Sequence, residues 1–200
     1  MNRAVVNGEV SVEVPEGFRI LGKDELDTLY ADSNPNRWGM ADDVRGMILS
    51  MFWHRNGALV ASLASANDAC RSMERRLAKS LGAYGYSLER FYRREVCGLD
   101  AHGFRHSYSA NGVDRFCEVT LFKHGRVFYT AYCYSTAEGE QGNRPVLSGI
   151  LDSMSLGRRP LAMLYSWMHL WTQLYVSNPI CSSGCPSTSE RVIRWTRRSQ

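Results

Sequence analysis

From Gly8 to Phe18, Val10, Val12 and Val14 alternate with Ser11 and Glu13. That period of two predicts a half-buried strand ending at Pro15. Leu26, Leu29 and Tyr30 then recur at helical spacing behind the acidic Asp24 and Glu25, so a short helix is expected over Lys23 to Ala31. Asp32 to Asp43, with Ser33-Asn34-Pro35-Asn36, has no sustained period and reads as a loop. Met47 to His54 and Ala58 to Leu63 flank Asn56-Gly57, a dipeptide suited to a tight hairpin, and are expected as two antiparallel strands. Ser65 stands three residues before Asp68, and Ala69, Met73, Leu77 and Leu81 repeat every four residues up to Gly82, which predicts a second helix. Its other side carries Arg71, Arg75, Arg76 and Lys79 with Glu74 as the one acid, and reads as a solvated basic face rather than a phosphate site.

From Tyr86 onward the chain is rich in aromatic and β-branched residues, broken at Gly98, Asn111-Gly112 and His124-Gly125. Four strands in meander order are expected, over Tyr86 to Val96, His102 to Ala110, Asp114 to Lys123 and Arg126 to Ser135. In the last, Val127, Tyr129, Ala131 and Cys133 face one way and Phe128, Thr130, Tyr132 and Tyr134 the other, so both faces need a covering layer. Ala137 to Arg144 breaks the strand, and Pro145 opens a third helix bearing Val146, Leu147, Ile150, Leu151 and Met154. The fold class expected is α/β, a three-layer α/β/α sandwich around a mainly antiparallel sheet, with an additional C-terminal helix and tail. The division expected is a body over residues 1–156 and an appendage over 157–200.

This order, with the opening Val14-Pro15-Glu16-Gly17-Phe18 and the closing Val146-Leu147-Ser148-Gly149-Ile150-Leu151-Asp152-Ser153-Met154, resembles the PsbP-like superfamily that includes the Ran-binding Mog-one proteins. The resemblance covers approximately residues 9–156. It implies a non-catalytic binding or accessory module, as for Ran GTPase partners, photosystem subunits and many bacterial members. Its motifs punctuate structure and support the fold rather than an activity.

The net charge of +4 is unevenly placed. Residues 1–156 hold 18 Lys/Arg against 19 Asp/Glu, whereas residues 157–200 hold six arginines against Glu190. The near-neutral body argues against a domain-wide nucleic-acid footprint, and only the arginine-rich end leaves that class open. The first 30 residues lack the pattern of a secretory signal, which leads to an expected cytoplasmic location. The six cysteines are too sparse for a disulfide scaffold and read as reduced thiols.

Candidate chemistry is scattered. His102 and His106, at i and i+4 on a strand, project roughly 13 Å apart, too far for one metal ion to bridge. Cys181 and Cys185 have a C-x3-C spacing with His169 as a third candidate ligand, but no fourth is near in sequence, so free thiols are favoured. Cys97, Cys117 and Cys133 read as small buried hydrophobes. Acid pairs such as Asp42-Asp43 read as solvated loop carboxylates. No nucleophile elbow, phosphate loop or H-E-x-x-H pattern is present. No catalytic residue, metal or cofactor is assigned.

The most unusual segment is Leu161 to Val176. Leu161, Leu164, Met168, Trp171 and Tyr175 form one apolar stripe, and Met163, Trp167, Leu170 and Leu174 a second. As a helix it would span roughly 24 Å, short of the ~30 Å hydrocarbon core. Arg158 and Arg159 precede it and further arginines follow, an arrangement suited to an anionic membrane surface. Docking on the body or on a second copy of the chain would bury the same stripes. Leu161, Leu164, Trp167, Met168, Trp171 and Tyr175, with Arg158 and Arg159, are therefore the expected contact residues, for a protein partner, a homo-oligomer or a membrane. The function expected is a non-catalytic module that recognises a protein or small partner. The alternative is a metal-binding or hydrolytic enzyme in which His102, His106, Asp100 and Cys97 converge.

Overall fold

The computed structural model describes residues 2–30 and 34–157. The alternating valines form β2 (Val10–Val14), which pairs with β1 (Asn2–Val6) across the left-handed Asn7-Gly8 turn. After β3 (Arg19–Ile20) come α1 (Lys23–Tyr30), β4 (Arg37–Asp42), β5 (Met47–Arg55), α2 (Ala58–Leu63) and α3 (Ala66–Leu81). Four long strands follow, β6 (Ser87–Val96), β7 (Leu99–Ala110), β8 (Val113–His124) and β9 (Val127–Thr136). α4 (Glu140–Asp152) and β10 (Ser155–Leu156) end the described chain. The main sheet is antiparallel in the order β3-β4-β5-β9-β8-β7-β6, and β1-β2-β10 make a small second sheet.

The meander from β6 to β9 has the expected neighbour order. Asn111-Gly112 and Cys97-Gly98 both take the left-handed backbone that a two-residue hairpin turn requires. The two faces of β9 divide the interior as the alternation predicts. Val127, Tyr129, Ala131 and Cys133 pack with Leu147, Ile150 and Leu151 of α4 and with Val10 and Val12 of β2. On the opposite face, Cys117, Val119 and Leu121 of β8 and Phe104 of β7 pack under Cys70, Met73 and Leu77 of α3. α1 covers the same face over β4, where Leu26 and Leu21 lie 3.0 and 3.2 Å from the point a Cβ would occupy at Gly39. Glycine is what lets the helix approach that closely. The result is an α/β sandwich with helices on both sides of an antiparallel sheet.

Four expectations are corrected. The segment Asp32 to Asp43, read as a loop, contains β4. Arg37–Asp42 is buried on both faces, so Arg-Trp-Gly-Met-Ala-Asp shows no alternation. Asp42 is accordingly not a solvated loop acid. It is buried, and the backbone N–H of Arg45 donates to it at 2.9 Å and holds its carboxyl below the usual range. The hairpin at Asn56-Gly57 is absent, because both edges of β5 are occupied by β4 and β9, and Ala58–Leu63 is helical instead. α4 starts at Glu140 rather than at Pro145, which lies inside the helix.

A polar seam fixes α4 to the β6–β8 end of the sheet. Glu118, 4% exposed, accepts from Arg105 Nε at 2.7 Å and from Arg94 Nη1 at 3.4 Å. Arg94 also donates to Asp152 at 2.5 Å and to Ser148 Oγ at 3.2 Å on α4. Beside it, Tyr92 lies across Gly103 and its hydroxyl donates to the carbonyl oxygen of Val119 at 2.9 Å. A Cβ at Gly103 would stand well inside contact distance of the Tyr92 ring.

Candidate functional site

α1 sits over β4 and α3 over β7 and β8, so the intervening strands β5 and β9 are left under a gap on that face. The gap is a cleft of about 560 Å³. Phe52 and His54 of β5, Phe128, Thr130 and Tyr132 of β9 and Leu121 of β8 line it from the sheet. α3 contributes Ala69, Ser72, Met73 and Arg76, and the segment before β4 contributes Asn34 and Asn36. Trp53, Asn56 and Ala64 complete the described lining.

The floor is held in place by its own contacts. The Phe52 ring meets Tyr30 edge-on at 4.7 Å and Tyr132 edge-on at 5.5 Å between centroids. The Tyr132 hydroxyl donates to Met73 Sδ at 3.3 Å, which joins floor to wall, and burial pushes its pKa above the ordinary phenol range. Trp53 N donates to the Asn36 carbonyl at 3.1 Å and ties the β4 approach to β5. Lys123 donates to the Ala64 carbonyl at 3.2 Å, with its ammonium 5.4 Å from the centre of the Phe128 ring. The described lining residues include no carboxylate and no thiol; their polar groups are amides, hydroxyls, His54 and the Arg76 guanidinium. Such a set can stack on a planar or apolar group and direct hydrogen bonds to its edge.

The structure does not bring His102, His106, Asp100 and Cys97 together. His102 Nε2 lies 3.2 Å from Asp100 Oδ2, and Asp100 also accepts from Arg93 Nε at 2.5 Å, an exposed cluster. His106 is 2% exposed and packs beside Tyr86, Phe104 and Tyr108, with ring centroids 5.1, 5.6 and 6.0 Å away. Its Nδ1 has no hydrogen-bond partner among the described residues, and burial lowers its pKa to about 4. Cys97 is in the β6–β7 turn and packs against the α4-side core, where burial raises its thiol to about 11. Cys117 and Cys133 face opposite sides of the sheet, opposite Tyr134 and Glu118 respectively. No group of three or more His, Cys, Asp or Glu positioned to hold a metal occurs among the described residues. Arg158, Arg159, Leu161, Leu164, Trp167, Met168, Trp171 and Tyr175 lie outside the described residues, as do His169, Cys181 and Cys185. No helix among the described residues is long and apolar enough to cross a membrane.

The cleft residues were not among the sequence-derived candidates. The alternation in β9 places Phe128, Thr130 and Tyr132 on one face, but only the separation of α1 from α3 makes that stretch of the face the floor of a cleft.

No known family and no curated protein matches the chain by sequence. Its fold does have counterparts. The solution structure of cyanobacterial PsbP (CyanoP) from Synechocystis sp. PCC 6803 superimposes with a TM-score of 0.59 at 11% identity, over 78% of this chain and 92% of that one. The Ran-binding protein Mog1p of Saccharomyces cerevisiae superimposes with a TM-score of 0.51 at 10% identity, over 78% and 96%. The chain has the Mog1p/PsbP-like fold. At these identities the Mog1p/PsbP-like fold is what is shared, and function has to be argued from the cleft.

Proposed function

We propose that the chain is a non-catalytic binding module that receives its partner in the cleft between α1 and α3. The observation that carries this reading is the cleft's lining, a braced aromatic floor bordered by amides, Ser72 and one guanidinium. Its volume falls within the ~300–1,000 Å³ of ligand sites, enough for one or two large side chains of a partner or a small planar molecule. The fold shared with Mog1p, whose name records Ran binding, is compatible with such a role.

A fragment screen by ¹H–¹⁵N NMR on the full chain tests the reading. The expected result is that fragment hits shift the amides of Ser72, Met73, Arg76 and Thr130, and that Ala69→Trp, which fills the cleft, abolishes those shifts. Hits confined to the α4 face, or hits unaffected by Ala69→Trp, would refute it.

The apolar stripes over 161–176 supply attachment in this reading, to a membrane surface or to a second copy of the chain. Trp167→Glu combined with Trp171→Glu should reduce co-sedimentation with anionic vesicles or lower the mass measured by light scattering. If neither changes, the appendage has no such role.

A further inference from the structure

We infer that the partner is an acidic polypeptide segment, seated with an apolar side chain in the cleft and with its carboxylates along the outer face of α3. This rests on the cleft being the binding site. Arg71, Arg75 and Lys79 recur at i, i+4 and i+8, so their Cα atoms rise about 6 Å per step along one side of the helix. All three are exposed; the Arg71 guanidinium lies over the Phe91 ring of β6 at 4.9 Å, on the flank of α3 away from the cleft, and Arg76 continues the set to the cleft wall. None of these four forms an ion pair among the described residues. Like charges four apart on a helix repel, and the carboxylates on α3 are Asp68 and Glu74 alone, against four cations. Glu74 is engaged by the Tyr86 hydroxyl at 3.1 Å, and Asp68 by Ser65 Oγ at 2.6 Å.

Several other surface cations have carboxylate partners, as Arg19 has Asp43 and Glu25, Arg93 has Asp100, and Lys23 has Asp27. Arg126, exposed and without an ion pair among the described residues, stands at one end of the cleft, where Asn56 N donates to its carbonyl at 2.9 Å. The cleft is thus apolar at its floor and cationic at its rim, with no carboxylate among its described lining residues. A segment bearing Asp or Glu on either side of a Leu, Met or aromatic residue matches both features. Residues 157–200, with six arginines against Glu190, carry the wrong sign for this surface. A flat bilayer does not fill a recessed floor, and the near-neutral body, 18 Lys/Arg against 19 Asp/Glu over residues 1–156, lacks a polynucleotide footprint.

The test pans a random dodecapeptide display library against the full chain. It is repeated on the surface variant Arg71→Glu, Arg75→Glu, Lys79→Glu and on Ser72→Trp, which blocks the cleft, with near-UV circular dichroism to verify that each is folded. The expected result is enrichment of peptides with two or more Asp or Glu around a large apolar residue. A synthetic representative should lose at least tenfold in affinity on each variant and weaken as salt is added. Enrichment of neutral apolar peptides, lost on Ser72→Trp but kept by the triple variant, would overturn the acidic partner and leave the cleft reading standing. Acidic peptides indifferent to Ser72→Trp would overturn the cleft reading and this inference with it. No enrichment, or tighter binding of a single-stranded dodecanucleotide or of anionic vesicles than of any peptide, would also overturn the inference.

Discussion

His106 should make the protein acid-sensitive in a range where carboxylates contribute little. Its ring is buried against Tyr86, Phe104 and Tyr108, and among the described residues its Nδ1 has no partner to stabilise a charge. An unfolded chain protonates such an imidazole near pH 6.5, whereas burial lowers the folded value to about 4. Between those values the unfolded state binds more protons, so stability is complete above about pH 6.5 and is lost as the pH falls toward 4. At 1.36 kcal/mol per unit the full shift is worth about 3 kcal/mol, of which about 2 kcal/mol is lost between about pH 7.5 and pH 5. The groups with lowered acid pKa values, Glu25, Asp42 and Asp100, act below that range. Urea unfolding of the wild type and of His106→Phe, compared at the two pH values, isolates the contribution because every other titrating group is common to both. The variant should lack the ~2 kcal/mol decline. Parallel pH profiles for the two proteins, or a folded His106 titrating above pH 6 by NMR, would refute the reasoning.

Gly103→Ala should cost about 1–3 kcal/mol in urea unfolding because the new Cβ meets both the Tyr92 ring and the backbone carbonyl oxygen of Val119. The cost should shrink in part in a Tyr92→Ala background, the Val119 contact remaining, and equal costs in both would contradict the Tyr92 contribution. Glu118→Gln should cost about 3 kcal/mol by thermal or urea unfolding, since Arg94 and Arg105 lose the buried carboxylate that compensates them. Ser65→Ala should cost about 1 kcal/mol, because Ser65 Oγ accepts from Asp68 N at 3.1 Å and caps α3. An unchanged midpoint would remove the cap from the account.

The sequence is most legible where one local signal decides the structure. The four long strands alternate, and their turns are marked by Cys97-Gly98, Asn111-Gly112 and Gly125, all on the left-handed backbone. α3 is legible from Ser65 and its four-residue stripe. β4 is not, because a strand buried on both faces has no alternation to read, and its necessary glycine resembles a loop signal. Ala58–Leu63 misleads for a related reason. A six-residue apolar run fits a strand or a helix, and the answer depends on β9, some 70 residues later, occupying the free edge of β5. The cleft is less legible still. Thr130 and Tyr132 are ordinary core-pattern residues in sequence, and they become a floor only because two helices of different origin stop short of each other.

The central claim, that partners enter between α1 and α3, is tested most directly by photo-cross-linking in the source cell. p-Benzoylphenylalanine is placed at Ser72 on the cleft wall or at Gln141 on the exposed side of α4. The account predicts a discrete higher-mass adduct from position 72 and none from position 141. An adduct from 141 alone, or from neither position, would contradict it.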